Sequence, residues 1–348
     1  GFAGRGVGGD VGNVIERGAA EHRLIAELMA TGDYEYAEPN WICYPVAVPN
    51  DPLYGNQWQW PMVSAPAAWS LQTGSGSMIV AICDSGVDPT HPDLSVNRVP
   101  GYNAPQGRME SAGGLVNDVN GHGTFCAGMA VARGNDGVGV TGAGWNLKLM
   151  PIRVTNSPGG SASQDDILGG ARVAISMGAK VSSCSFTGVQ SASVQTTGVS
   201  VRQAGGLLVY AADNSSTNHS GWDHPDVVVV GATDSGDNRA WFSSYGRGVD
   251  IFAPGDNVYS TTNDGGYGGG SGTSFSTPLV AGALAVVWSV NPNLPPAVLE
   301  QIVYSAADDK GAPGNDDPWG WGRLNLLRAV QGAGATLVPA APVAVVDS

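Results

Sequence analysis

The amino-acid sequence predicts an α/β protein with a mostly parallel central sheet. Short apolar runs recur along the 348 residues, and stretches with helical periodicity fall between or after them. This alternation is typical of parallel sheets, whose strands are covered by helices on both faces. The composition agrees, since 42% of the residues are hydrophobic and only 13% are charged. That is enough apolar material for a large core, and it excludes disorder of the whole chain.

Five buried strands and five helices are expected in the main part of the chain. The apolar runs that predict strands lie at residues 78–83, 147–154, 180–186, 207–211 and 227–230. The helical patterns lie at residues 122–133, 164–177, 194–203, 274–290 and 297–306. Ligands of such sheets usually bind at the carboxyl ends of the strands, so polar residues at those ends are candidates for chemistry.

The N-terminal segment has the pattern of half of a small α+β unit. A short strand is expected at 13–16, an amphipathic helix at 19–30 and a second strand at 34–37. Three prolines between residues 44 and 53 then indicate an extended linker. We therefore expect a boundary at this point.

The chain accordingly divides into three parts. Residues 1–48 form a first segment with its linker, residues 49–331 form the main domain, and residues 332–348 form a tail or linker rich in Ala, Val and Pro. The sequence starts at Gly1 without a charged-then-apolar leader. We expect any signal peptide to have been removed or to lie outside this sequence.

Charge and cysteine spacing narrow the function classes. The chain carries 16 basic and 30 acidic residues, a net charge of −14, which argues against nucleic acid or an anionic membrane surface as the partner. No apolar run reaches about 18 residues, so no membrane span is expected. The four cysteines form no CxxC pair, and we expect free, mostly buried thiols.

Three segments place a reactive side chain where a predicted element begins or ends. Asp84 ends a buried strand, His122 stands between two glycines at the start of a helix, and Ser274 begins a long helix of small residues. Taken singly, each has a simpler interpretation as a turn aspartate, a capping histidine or an N-cap serine. A buried carboxylate can also fix the tautomer of an imidazole. An uncrowded imidazole can act as a general base, and a serine at a helix start can offer its N–H to an oxyanion.

In the chain order Asp, His, Ser, these segments resemble the subtilisin-like serine proteases. The resemblance runs from about residue 49 to 331, and residues 48–54 with Gln57 and Trp58 are most similar to the thermitase branch. It implies a three-layer α/β sandwich around the mostly parallel sheet. It also implies a serine endopeptidase that works through an acyl-enzyme intermediate.

By this resemblance the three residues have distinct roles. Ser274 would be the nucleophile, His122 the general base and then acid, and Asp84 the orienting carboxylate. Asn214 matches the asparagine whose amide stabilises the tetrahedral intermediate together with the Ser274 backbone N–H. A turn asparagine is the simpler alternative.

The resemblance also assigns residues that bind substrate. Gly159, Gly160 and Ser161 resemble the edge segment that pairs with an extended peptide, although an ordinary loop is the alternative. Ser185, Thr187 and Asp213 fall at the primary specificity pocket. Thr187 and Asp213 replace family glycines, so their side chains would narrow the entrance. If Asp213 points inward, its charge would favour a small or basic residue before the scissile bond.

Calcium is the expected cofactor, and no organic cofactor is implied. The 23 Asp and 7 Glu supply hard oxygen ligands, and Asp51, Asp93 and Asn135 match the family's strong calcium site. Solvated turn residues are the alternative interpretation. Asp118 is a candidate for a second site whose partners the sequence does not define.

Residues 15–40 resemble the second half of the family's inhibitory propeptide. The resemblance therefore implies a secreted monomer that acts on protein or peptide substrates and is activated by a cut between residues 40 and 51. Two rival functions stay open. One is a processing peptidase for a few partners, and the other is a zymogen-locked or inactive fold that serves as a binding module.

Overall fold

The computed structural model describes residues 27, 28, 30–32 and 46–335. Most of the expected propeptide segment, residues 1–48, lies outside the described residues. Cys43 and most of the expected tail at 332–348 lie outside them as well.

An eight-stranded sheet forms the centre of the described domain. Along the sheet the strands run in the order β3-β2-β4-β1-β5-β6-β7-β8, and only the short edge strand β3 pairs antiparallel to its neighbour. A separate antiparallel hairpin, β9 with β10, stands beside it. The bounds are β1 Ile79–Asp84, β2 Tyr102–Asn103, β3 Arg108–Met109, β4 Lys148–Arg153, β5 Val181–Cys184, β6 Leu207–Ala211, β7 Val227–Thr233, β8 Ile251–Pro254, β9 Val258–Thr261 and β10 Tyr267–Gly270.

Helices cover both faces of this sheet. One face packs against α4 and α7, with α8 and α9 behind them, and the other packs against α5 and α6. The bounds are α1 Gln59–Met62, α2 Ala65–Trp69, α3 Pro92–Ser95, α4 His122–Val131, α5 Gln164–Ser176, α6 Ala192–Gln203, α7 Thr273–Val290, α8 Pro296–Ala306 and α9 Leu326–Ala335. The three-layer α/β class expected from the sequence is confirmed.

Burial on both faces explains why the central strands are continuous apolar runs. Every residue of β6 and β7 is buried. Strand β1 lies between β4 and β5, in a register that places Cys83 beside Cys184. Both thiols are buried and free, as is Cys126. The expectation of free, buried thiols therefore holds for the three cysteines that the structure describes.

The last described helix crosses the expected start of the tail at residue 332. Helix α9 continues to Ala335, and Ala333 is fully buried. The reason is close packing, because a Cβ at Gly332 would lie 3.1 Å from the Ile302 side chain of α8. The small residues in this turn thus let two helices approach each other closely. From composition alone, the same small residues suggest a linker.

Among the described helices, α7 is long and apolar enough to cross a membrane if length and composition are considered alone. Its mean hydropathy is 1.4, but 78% of it is buried inside the protein. A core helix has these properties when sheet and helices surround it, as they surround α7 here.

Candidate active site

Asp84 ends β1 at the carboxyl edge of the sheet, and its side chain is only 2% exposed. One oxygen accepts a hydrogen bond from the Ser85 backbone N–H at 2.7 Å. Both oxygens lie 2.9 Å from Nδ1 of His122. Because the carboxylate accepts from Nδ1, it fixes the ring orientation and directs Nε2 away from Asp84.

His122 begins helix α4, and close backbone packing brings that helix to Asp84. A Cβ at Gly123 would lie 2.1 Å from the Gly86 carbonyl oxygen and 3.0 Å from Cβ of Asp84. Glycine at this position therefore lets the first turn of the helix lie directly against the end of β1. The side chain of His122 keeps 29% of its surface exposed, as an accessible base requires.

Asp118 caps this helix, although the sequence analysis considered it for a second calcium site. Its Oδ1 accepts from Gly121 N at 2.8 Å and from Ser85 Oγ at 2.7 Å. Its Oδ2 accepts from Thr124 N at 2.9 Å. The carboxylate thus satisfies backbone donors at the helix start, which accounts for both of its oxygens without a metal.

Two opposing effects act on the His122 imidazole. Burial lowers its pKa, but the Asp84 carboxylate raises it, and the net pKa lies above the ordinary value. Cys126 follows one turn later on α4, with Sγ 3.8 Å from Nδ1 of His122. This thiol donates to the Ser274 carbonyl oxygen at 3.3 Å, so it packs between the two elements that carry His122 and Ser274.

Ser274 lies in the first turn of α7 and faces the same cavity as His122. Its hydroxyl donates to the Ser185 carbonyl oxygen at 3.5 Å, and Ser185 Oγ donates to the Ser274 carbonyl oxygen at 2.8 Å. Among the described residues no hydrogen bond joins Ser274 to His122. Such bonds are often long without substrate, and the 3.5 Å bond holds the hydroxyl only weakly.

The amide of Asn214 has a defined orientation. Its Oδ1 accepts from the Thr273 backbone N–H at 2.9 Å and from the Thr273 hydroxyl at 3.0 Å. Because the oxygen side of the amide is occupied by donors, Nδ2 is the atom left to donate toward the cavity that Asn214 lines.

The cavity has a volume of about 230 Å³, and most of the sequence-predicted substrate residues border it. Its walls include His122, Ser274 and Asn214 together with Gly159, Gly160, Ser185, Phe186, Thr187, Ala211 and Asp213. Ser161 is not among them, and its carbonyl oxygen accepts from Thr155 Oγ1 at 2.5 Å.

Asp213 borders the cavity, and both oxygens of its carboxylate have hydrogen-bond partners. One oxygen accepts from Ser215 N at 2.8 Å and from Ser244 Oγ at 2.6 Å. The other faces Nε2 of His219 at 3.2 Å. Both oxygens therefore have partners, although Asp213 lines the cavity. His219 and Ser244 were not predicted from the sequence, because nothing in their local sequence connects them with the motif at 211–214.

A model of the subtilase family matches residues 75–322, a range that contains Asp84, His122, Asn214 and Ser274. The chain belongs to the subtilase family.

Several characterised subtilases are similar over most of the chain. Thermitase from Thermoactinomyces vulgaris is 34% identical over 81% of this chain and 99% of its own length. A thermophilic serine proteinase from Bacillus sp. (strain AK1) is 32% identical over 91% of this chain and 78% of its own. Subtilisin E from Bacillus subtilis is 32% identical over 89% of this chain and 79% of its own.

A solved protease structure is similar to this chain as well. A protease from Pseudoalteromonas arctica superposes with a TM-score of 0.71 at 29% identity, over 82% of this chain and the whole of that one. This chain is therefore a subtilisin-like serine protease, a hydrolase.

In this subtilase, the residues predicted to bind calcium converge on the loop at 135–140. Asp51 accepts from the backbone N–H of Asn135 at 2.7 Å and of Asp136 at 3.1 Å, and Asp93 accepts from Val140 N at 2.9 Å. The Oδ1 atom of Asp93 is buried and accepts no well-formed hydrogen bond from the described residues, although the Tyr267 side chain interacts with the same carboxylate.

These carboxylates have the electrostatics of a cation site. Burial raises the pKa of Asp93 to about 7, and it also raises the pKa of Asp51. Two buried acids packed against one loop, with an Asp93 oxygen that accepts no well-formed hydrogen bond, fit a hard divalent cation. The cation would offset the cost of burying both charges and reduce their mutual repulsion.

Proposed function

We propose that this subtilase is an endopeptidase in which Asp84, His122 and Ser274 form the catalytic triad. The observation that carries the proposal is the pair of 2.9 Å contacts between Asp84 and Nδ1 of His122. These contacts leave Nε2 of His122 free to act in the cavity that both His122 and Ser274 line. A carboxylate, an imidazole and a serine hydroxyl in this order support acyl transfer.

The proposed reaction starts with acylation. Ser274 Oγ leaves its weak bond to Ser185 and attacks the scissile carbonyl carbon, while Nε2 of His122 takes the hydroxyl proton. The carbonyl electron pair moves to oxygen, where Asn214 Nδ2 and the Ser274 backbone N–H donate to it. When the intermediate collapses, the C–N bond breaks and His122 returns its proton to the leaving amine.

Deacylation repeats these steps with water. His122 removes a proton from the water, which attacks the acyl-enzyme carbonyl, and the ester bond to Ser274 breaks with return of the proton to Oγ. Asp84 stabilises the imidazolium in both halves because it lies against Nδ1 throughout.

Substrate would bind as an extended strand along Gly159 and Gly160, where the absence of side chains allows close backbone approach. The residue before the scissile bond would enter beside Thr187 and Asp213. Since Asp213 is paired with Ser244 and His219, size at Thr187 is proposed to govern the preference more than charge does. Small residues should be favoured, which a scan of substrates at this position tests.

Calcium, zymogen activation and secretion complete the proposal. Asp51, Asp93 and Asn135 would hold a calcium ion whose role is structural, because it would neutralise buried acids. Residues 15–40 resemble an inhibitory propeptide, and cleavage between residues 40 and 51 would release the active form. Secretion is proposed because the relatives include a protein named as an extracellular protease in Xanthomonas campestris.

The decisive experiment measures intact mass after treatment with a fluorophosphonate in calcium. The whole chain, a variant that starts at Val48 and its Ser274→Ala derivative are compared. One adduct on Ser274 in the shortened form, and much less in the whole chain, would support a propeptide-gated serine hydrolase. Equal labelling of the whole chain and the shortened form would contradict inhibition by the propeptide. No adduct in either form would contradict the triad and favour a binding module.

A further inference from the structure

We propose that His219 is a positioning residue of this protease, which holds Asp213, and through Asp213 the amide of Asn214, in the geometry needed at the oxyanion. The inference rests on the proposed function, since that function assigns Asn214 to the oxyanion. It concerns a side chain outside the triad that the reaction itself does not use.

The backbone just before Asn214 is strained. Asp213 has a φ of 73°, in the left-handed region that residues with a Cβ rarely adopt. Such a conformation persists only where surrounding contacts hold it. Because Asp213 directly precedes Asn214, relaxation of this φ would rotate the following residue and move its amide away from the cavity.

The imidazole of His219 holds two successive residues of this segment. Its Nε2 lies 3.0 Å from the Ala212 carbonyl oxygen and 3.2 Å from Oδ2 of Asp213. Both partners are acceptors, so Nε2 carries a proton and donates to them. Ser244 and Ser215 donate to the other carboxylate oxygen, and the side chain of Asp213 is therefore held from two directions.

His219 itself is anchored on a different part of the chain. The residue is only 5% exposed, and its ring centroid lies 5.0 Å from that of Trp222. Its backbone N–H donates to the Tyr245 carbonyl oxygen at 2.6 Å, and its carbonyl oxygen accepts from Gly248 N at 3.3 Å. The donor that holds Ala212 and Asp213 thus belongs to a packed unit that does not include the triad.

His224 provides a matched control. It is 7% exposed, its ring centroid lies 4.7 Å from the same Trp222, and its Nε2 lies 2.9 Å from the Val189 carbonyl oxygen. It therefore shares the residue type, the burial and the aromatic neighbour of His219. It makes no hydrogen bond to residues 212–214.

The test compares H219F, H219Q and H224F in the form that starts at Val48, with calcium present. For H219F we expect kcat to fall about 10-fold to 10²-fold, the scale of a misplaced catalytic group, while KM changes less than about threefold because substrate contacts remain. H219Q, whose amide can donate, should recover much of this loss. H224F should keep the parent kcat.

Three readouts separate positioning from general loss of structure. The affinity for a peptidyl trifluoromethyl ketone, which forms an oxyanion on Ser274, should fall in H219F in proportion to kcat/KM. The double variant H219F/N214A should lose no more kcat than N214A alone. D213G/H219F should regain kcat, because glycine adopts the left-handed φ without strain and carries no carboxylate.

Unchanged kcat in H219F, an equal loss in H224F, or additive losses with N214A would each overturn the inference. If H219F does not fold, H219M removes the same donor with a flexible side chain, and the same loss of kcat is expected. A parent protein that neither cleaves peptides nor reacts with a fluorophosphonate would overturn the proposed function and this inference with it. If the parent is active and H219F has the same kcat, the inference about His219 is overturned and the proposed function stands.

Discussion

The hydroxyl of Ser85 donates to Asp118 at 2.7 Å, and this bond joins the residue after Asp84 to the cap of the helix that begins with His122. The same hydroxyl accepts from Gly123 N at 3.0 Å. Strand β1 and helix α4 are thereby connected by two polar contacts at the point where carboxylate and imidazole meet.

Substitution of Asp118 should therefore affect both stability and catalysis. D118A would leave the donors of Ser85, Gly121 and Thr124 without their acceptor, and we expect a loss of about 1–2 kcal/mol in the free energy of unfolding. We also expect kcat/KM to fall about 10-fold as His122 loses its fixed position. Denaturant unfolding of the Ser274→Ala form and steady-state kinetics measure the two effects.

Asp88 is the control for this prediction. It lies on the loop after β1, as Ser85 does, and its Oδ1 accepts from Thr90, at 2.9 Å from N and 2.7 Å from Oγ1. D88A should leave kcat/KM nearly unchanged. Equal kinetic losses in D118A and D88A would contradict the link between the cap and His122.

Replacement of Ser274 should abolish turnover and spare the fold. The hydroxyl makes only a 3.5 Å bond to the Ser185 carbonyl, so Ser274→Ala should change unfolding free energy by less than about 0.5 kcal/mol. Turnover should fall by about 10⁶, the loss known for the nucleophile of a subtilisin. Activity within tenfold of the parent would show that another residue is the nucleophile.

The pH dependence should follow the ionisation of His122. Its neutral form is the base, so kcat/KM should rise with pH through the His122 pKa and be lost as pH falls below it. Because Asp84 holds this pKa above the ordinary value, the midpoint of the acid limb should lie above about pH 6.5. Rates from pH 5 to 10 locate it.

Asp84→Asn provides the contrast for that measurement. Removal of the carboxylate charge should move the acid limb to lower pH and reduce kcat by about 10⁴, since an amide no longer fixes the ring. An acid limb at the same pH in D84N would mean that His122 does not set it.

Removal of calcium should expose the cost of the buried acids. In the Ser274→Ala form, which cannot digest itself, a chelator should lower the melting temperature, because the buried Asp93 and Asp51 carboxylates then have no cation to neutralise them. Asp93→Asn should be ranked differently against the parent in the two conditions. It should be less stable than the parent in calcium, where a ligand charge is missing, and more stable in the chelator, where a buried charge is missing.

Thermal unfolding of the parent and of Asp93→Asn, with and without calcium, tests this change in relative stability. Asp264→Asn is the control, because Asp264 is fully exposed and accepts only from its own loop. Its stability should respond to calcium as the parent does. If Asp93→Asn also responds like the parent, the ion is bound elsewhere.

A continuous buried run was enough to predict strand β6, although the equally buried strand β8 was missed. Strand β6 has the predicted bounds, Leu207–Ala211, because each of its residues is covered by the sheet and by helices. The hairpin of β9 and β10 was missed, since its second strand contains Gly268, Gly269 and Gly270, residues typical of turns. Helix α9, Leu326–Ala335, was not predicted, and its last turn was assigned to the tail, because small residues that pack closely resemble a linker in composition.

The candidate site divides in the same way. Short motifs around Asp84, His122 and Ser274 suggested the chemistry when taken together, through their resemblance to a known family, although each motif alone also fits a turn or a helix cap. The surroundings of Asp213 were decided by tertiary structure. Its partners His219 and Ser244 lie 6 and 31 residues away along the chain, and only the packing of separate loops brings their donors to one carboxylate. Sequence therefore determined which groups are present, and the fold determined which of them are free to meet a substrate.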